Sequence, residues 1–251
     1  MPVPTPPPVA SEVFGSKLEQ VQIYVELLAD AAVERGLIGP AETQRLWDRH
    51  LLNSAVVAEL VPEAAIERAD SPRSVGRSAA TVGTTPRPTA PAREELTAGT
   101  GRMELADLGS GAGLPGLVLA ILLPHIRVVL VEPMARRTTF LEECVGELGL
   151  GNVAVRRARA EDLAGEIGAD VVTARAVASL DRLAVLASGL ARPGGLVLAI
   201  KGASAAAELE RARPVLRGLG ATGAEVVTAG SGLVDQPATV IRFRTKRRSG
   251  S

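Results

Sequence analysis

The sequence predicts an α/β protein. Its sheet is mostly parallel, with helices on both faces, one reversed strand at the end and a helical extension in front. Three observations carry this. From Met103 onward, short apolar runs alternate with longer amphipathic ones. Between the first of each kind lies Asp107-Leu108-Gly109-Ser110-Gly111-Ala112-Gly113-Leu114-Pro115-Gly116, a turn rich in residues without a Cβ that takes a strand sharply into a helix. The last two apolar runs are joined by a loop alone, so they can pair as an antiparallel hairpin.

Taken in order, residues 1–10 form a Pro-rich tail expected to be disordered, because proline removes donors and fixes φ. Residues 11–62 form a helical cap. Phe14, Leu18, Val21, Val25, Leu28 and Ala32 recur at helical spacing over 11–35, with Ser11 as N-cap and Gly36 as stop. A second helix starts at Pro40, carries Leu46, Trp47, Leu51 and Val57, and ends at Val61-Pro62. The cap packs on the larger domain or walls its substrate cleft. Residues 63–102, rich in Pro, Ser, Thr and Arg without a hydrophobic period, read as a disordered insertion. The domain proper spans 103–245. Its strands are expected at 103–108, 127–132, 152–157, 170–174, 196–200, 222–229 and 238–244. Its helices are expected at 114–123, 135–148, 181–191 and 203–217. Arg192-Pro193-Gly194-Gly195 is the turn before the fifth strand, and 246–251 is a basic tail.

Composition removes several classes. No apolar run reaches membrane-span length, and the N-terminus lacks a signal-peptide pattern. The single cysteine, Cys144, fits a reducing cytoplasm and sits at core spacing in its helix. No Cys/His cluster suggests a metal. Basic and acidic residues balance at 28 each, so RNA binding would need a local patch rather than bulk charge. No exposed apolar face argues for more than a monomer.

The glycine turn has two registers. Gly109-x-Gly111-x-Gly113 suits S-adenosylmethionine (SAM); Gly111-x-Gly113-x-x-Gly116 satisfies a dinucleotide fingerprint. Glu132, ending the next strand, can accept ribose hydroxyls from either cofactor. The hairpin ending decides. A dinucleotide enzyme would need a further substrate domain, whereas seven strands with a reversed last one are the class I SAM-dependent methyltransferase architecture. Gly116 then becomes a packing glycine. Asp107 can orient the cofactor ammonium, Leu114 sits against the cofactor, and Ala160 with Glu161 can frame the adenine.

Three segments together resemble the small-subunit ribosomal RNA methyltransferase G family, also called glucose-inhibited division protein B. They are Leu46-Trp47-Asp48-Arg49-His50-Leu51-Leu52-Asn53-Ser54, the Asp107–Gly116 turn with its Leu-Pro-Gly ending, and Thr173-Ala174-Arg175-Ala176-Val177-Ala178-Ser179-Leu180. The resemblance implies a class I fold, SAM as methyl donor, and N7 of a guanine in the decoding-region loop of 16S rRNA as acceptor. The partner is then 16S rRNA or the small ribosomal subunit. It also matches Gly109, Leu114, Ala160-Glu161 and Arg175 to the family's cofactor contacts. The proline tail and the 63–102 insertion depart from the family core.

Guanine N7 carries a free lone pair, so no acid or base is assigned and catalysis reduces to alignment and electrostatics. Arg175, closing the fourth strand, faces the SAM carboxylate or the entering RNA. Lys201, ending the fifth, lies at the same edge with reach to a phosphate. His50 shares a helix face with Asn53 and Ser54, turned to the cleft or to helix packing. Arg136 and Arg137 stand in a helix first turn, where the dipole disfavours cations, which points to a phosphate partner.

Overall fold

The computed structural model describes residues 3–62 and 102–247. The expected insertion, except Arg102, and the end of the basic tail lie outside them. The strands β1 (Glu104–Leu108), β2 (Arg127–Val131), β3 (Val153–Arg156), β4 (Ala169–Arg175), β5 (Ala191–Lys201), β6 (Thr222–Ala229) and β7 (Ala238–Arg244) form one sheet, in the order β3-β2-β1-β4-β5-β7-β6. The first five are mutually parallel, and β7 is antiparallel to both its neighbours. This is the class I methyltransferase sheet. The strand order reverses between β1 and β4, the place where a parallel sheet opens a crevice at its carboxyl edge.

Alternation along the strands divides the core in two. Leu105, Val128, Leu130, Val171 and Leu198 face one cluster, completed by α5 (Gly116–Leu122), α6 (Ala135–Glu147) and the N-terminal helices. Ala106, Val129, Val172, Val197 and Ala199 face the other, completed by α7 (Leu180–Leu190) and α8 (Ala205–Gly218). Both faces are covered, which is why the central strands read as nearly continuous apolar runs. Cys144 is fully buried there, and burial pushes its thiol up to about 12, so it is core and not a nucleophile.

The N-terminal unit departs most from expectation. The first helix begins inside the proline segment: α1 is Pro8–Phe14, with Pro7 rather than Ser11 as N-cap. Proline in a first turn lacks a donor that the helix leaves unpaired anyway. Trp47 Nε1 donates to Pro4 O at 2.9 Å, so the segment from Pro4 is docked and not a free tail. The predicted long helix breaks at Gly15 (φ +49°) and again at Asp30, giving α2 (Leu18–Ala29) and α3 (Ala31–Glu34). The second helix is a chain of short turns: 3-10 from Pro40–Arg45, π-helical over Leu46–Leu52, then α4 (Asn53–Ala55) and a 3-10 turn Val56–Leu60. The turn at Arg192–Gly195 is a bulge inside β5, whose register against β4 jumps from Ala169↔Ala191 to Val171↔Leu196.

Candidate cofactor cleft

The glycine turn leaves β1 pinned to β2: the Gly109 and Ser110 N–H groups donate to Val131 O at 2.9 and 3.2 Å. Gly109 has φ +68°, and a Cβ there would come 2.8 Å from Val177. Gly111 has φ +60°, and a Cβ on it would meet nothing nearer than Gly109 O at 3.9 Å. Its bare backbone faces open space, as a close-approaching ligand requires. Gly116 is different. A Cβ there would run into Leu130 and come 2.7 Å from Asp107 Oδ2, so it is the packing glycine expected. Its N–H, which a dinucleotide fold would aim at a pyrophosphate, donates to Asp107 Oδ2 at 3.2 Å.

Asp107 itself is fully buried and lines neither lobe of the cleft described below. Its Oδ1 accepts from Thr173 Oγ1 at 2.8 Å. The carboxyl therefore ties β1 to β4 and to the start of α5, and burial pushes it up to about 6. The side chain points to the face covered by α5 and does not line the cleft, where a direct contact with the cofactor ammonium was expected.

Glu132 does line the cleft. It is 1 % exposed; Oε2 accepts from Gly111 N and Oε1 from Met134 N, both at 3.0 Å. It holds the glycine turn against the β2–α6 connection. Arg137 Nη1 lies 3.5 Å from the same carboxylate and lines the same cleft. Arg136 is exposed.

The cleft has two lobes that share Gly109, Pro133 and Val177. One, of about 460 Å³, runs along Gly109–Ala112, Leu114 and Glu132 to Arg175 and Ala176, and is walled by Leu37, Ile38, Gly39, Glu42 and His50. The other, of about 420 Å³, is an apolar slot between Leu108, Val131 and Leu186, with Ala160 on its wall and Glu161 at its rim. The N-terminal unit is thus a wall of the cleft. It also braces the glycine turn: the buried Tyr24 hydroxyl donates to Ala112 O at 2.6 Å. Sequence reasoning missed Tyr24, Glu42 and Val177. Tyr24 and Val177 act on a turn distant in the chain, and Glu42 meets His50 only through the irregular winding between them, so no local pattern marks them.

At the inner end, Arg175 is partly buried, and its guanidinium forms no hydrogen bond or ion pair with the side chain or backbone of another described residue. Burial draws its guanidinium below the ordinary arginine range. His50 Nε2 lies 2.9 Å from Glu42 Oε2, and its Nδ1 is buried without a partner among the described residues. Burial, then the charge of Arg175, lowers its pKa, so the ring is neutral at pH 7. Ser54 is buried and does not join His50 and Asn53, because the π-helical winding of Leu46–Leu52 breaks the expected face. Lys201 is withdrawn from any phosphate. Its Nζ donates to Ala178 O at 2.8 Å and pairs with Glu208 at 2.9 Å. Among the described residues no cluster of three His, Cys, Asp or Glu is placed to hold a metal, and no helix is long and apolar enough to cross a membrane.

Comparison with known proteins decides what this cleft serves. The family model for rRNA small subunit methyltransferase G matches residues 17–70 and 94–233. The chain belongs to the rRNA small subunit methyltransferase G family. It is 46 % identical to the ribosomal RNA small subunit methyltransferase G of Thermobifida fusca (strain YX), over 94 % of this chain and 84 % of the relative. It is 45 % identical to that of Mycolicibacterium gilvum (strain PYR-GCK), over 95 % and 89 %. Among solved structures, a SAM-dependent O-methyltransferase from Thermotoga maritima aligns with a TM-score of 0.46 at 14 % identity, over 59 % of this chain and 61 % of that one. As a family member the chain is a SAM-dependent methyltransferase. The cleft suits that cofactor: bare backbone at Gly111, a buried carboxylate beside it, an apolar slot for a flat ring, and no free helix terminus for a pyrophosphate.

Proposed function

We propose that this chain transfers a methyl group to N7 of a guanine in the decoding-region loop of 16S rRNA, acting as a monomer in the cytoplasm. Family membership supports the rRNA substrate. The observation that carries the chemistry is the edge cleft, whose inner end is Arg175, Ala176 and the neutral His50, with no carboxylate free to act as base. Bound SAM supplies an electrophilic methyl on a sulfonium. The acceptor nitrogen would attack that methyl with its own lone pair while the S–CH3 bond breaks; S-adenosylhomocysteine would leave as a neutral thioether, and the positive charge would pass to the product base. No proton has to be removed, so the residues serve to place the partners.

In this reading Gly109 and Gly111 admit the methionine end and Leu114 packs beneath it; Gly113, whose Cβ position is filled by Leu117 and the Tyr24 hydroxyl, supports the turn from behind. Glu132 accepts the ribose hydroxyls with the lone pairs its two backbone bonds leave free. Ala160 and Glu161 frame the adenine. Arg175 presents donors to the cleft, and Asp107 holds the turn from behind. The exposed Arg136 touches RNA backbone. The test is incubation with methyl-labelled SAM and either stripped 16S rRNA or whole small subunits, then mass spectrometry of the digested RNA. A single 7-methylguanosine is expected. Label appearing only in protein or in small molecules would overturn the assignment.

A further inference from the structure

A third cavity, of about 680 Å³, adjoins the cofactor cleft and shares His50, Arg175 and Ala176 with it. Its remaining walls come from three distant parts of the chain: Arg49 and Asn53 from the N-terminal unit, Lys201 and Gly202 at the end of β5, and Gln236 from the β6–β7 connection. These walls are tied together. Asn53 Nδ2 donates to Gln236 O at 3.3 Å, and Gly230 N donates to Glu59 Oε1 at 2.8 Å. Lys201, the side chain long enough to fill the space, is instead bonded to Ala178 O and Glu208.

The throat between the two cavities holds unmet polar capacity. The Arg175 guanidinium has no hydrogen-bond or ion-pair partner among the described residues, and neither has Nδ1 of His50. Between the cavities Ala176 sits at φ +54°, a left-handed conformation that is disfavoured for a non-glycine residue. Such strain persists where the surroundings fix it, and it is concentrated at functional sites.

We infer that this cavity receives the acceptor guanosine, turned out of the RNA stack, with its N7/O6 edge at the throat and its sugar-phosphate towards Arg49 and the Gly202–Ala203 rim. The inference rests on the rRNA-methyltransferase reading above. Loop bases can be splayed out, and an enzyme that does chemistry on a base takes it out of the stack to reach it, so a guanine of the decoding-region loop can enter as a single nucleotide. A cavity of about 680 Å³ takes a single nucleotide and no duplex. Arg175 has five N–H donors in a rigid fork, enough to face both cavities. Guanine presents an accepting O6 beside N7, whereas adenine presents a donating amine there. A donor at the throat therefore selects guanine.

Ala203→Trp and Gly202→Trp fill the cavity from its exposed rim, where a Cβ on Gly202 meets nothing within 4 Å. Both are expected to bind SAM with unchanged affinity by calorimetry, which also reports an intact fold, while the KM for rRNA rises by an order of magnitude or more. Wild-type enzyme should methylate an RNA with inosine at the target, which keeps O6, about tenfold faster than one with 2,6-diaminopurine, which keeps N7 but replaces O6 by an amine. Tryptophan variants with wild-type KM and turnover, or equal rates on the two substituted RNAs, would overturn the inference while leaving the rRNA reading intact. Failure of that reading looks different: the wild-type enzyme would label no RNA at all.

Discussion

Asp107 is a motif residue whose side chain ties the fold together behind the cleft. Its carboxylate is fully buried and accepts from Thr173 Oγ1 and Gly116 N. Burial raises its folded value to about 6, against an ordinary value of about 3.9. The folded chain therefore holds this proton more tightly than the unfolded chain. The associated stability is complete at acid pH and is lost as pH rises towards neutrality. Glu42 works in the opposite sense, because its hydrogen bond to His50 lowers its value. Subtracting an Asp107→Asn variant cancels Glu42 and isolates the Asp107 contribution. The stability difference, wild type minus variant, should fall by roughly 2 kcal/mol between pH 4 and 6.5 and stay flat above. Urea unfolding at half-unit intervals measures it; a constant difference would contradict the buried ionisation. Gly116→Ala tests the same joint sterically. Its Cβ would come 2.7 Å from Asp107 Oδ2 and clash with Leu130, so the loss should be about 1–3 kcal/mol in chemical denaturation. This glycine's role was legible in the sequence, because SAM has no pyrophosphate to occupy it. The Asp107 role was not, because a strand-end carboxylate reads the same whether it faces the edge or the helix layer.

Among the elements, the strands were the most legible and the N-terminal turns the least. β6 and β7 fall at the predicted 222–229 and 238–244; β7 is largely buried, whereas β6 is an edge strand with most of its residues exposed. The breaks at Gly15 and Asp30 and the π-helical Leu46–Leu52 were illegible, because packing on the sheet domain sets them and propensity does not. The apolar positions were still right: Phe14, Val21, Val25, Leu28 and Ala32 are all in the core. Tyr24 lay outside that pattern, and its target, Ala112 O, is 88 residues away. It makes the N-terminal unit part of the cofactor site. Tyr24→Phe keeps the ring and removes the donor, leaving a buried carbonyl unpaired at about 1–3 kcal/mol. Part of that should appear as a several-fold weaker SAM affinity in calorimetry, with the far-ultraviolet dichroism unchanged. Loss of stability with full SAM affinity would reduce the N-terminal unit to a packing cap.

For the whole molecule, charge decides how RNA is met. Basic and acidic residues balance at 28 each, so long-range attraction to a polyanion is weak and the contact must be local. Tertiary pairing narrows it further. Lys201 is neutralised by Glu208 and Arg137 lies against Glu132, so two basic residues that looked available in the sequence are taken up inside the fold. Neither pairing was visible locally, because each partner sits across a turn or on the next helix. Exposed arginines remain, among them Arg136 in the first turn of α6 and Arg159 on the wall of the second lobe. A site that grips one unstacked nucleotide and a few flanking phosphates releases few counterions. The plot of log KM for rRNA against log salt should therefore be shallow, with a slope of magnitude about 2–3 for three or four phosphates on a single strand. Arg136→Ala should reduce that slope by about 0.7 and leave SAM affinity unchanged, as removal of one phosphate contact requires. Initial rates across a potassium chloride series measure both. A steep slope unaffected by Arg136→Ala would mean that RNA is held by a broad basic surface elsewhere on the chain.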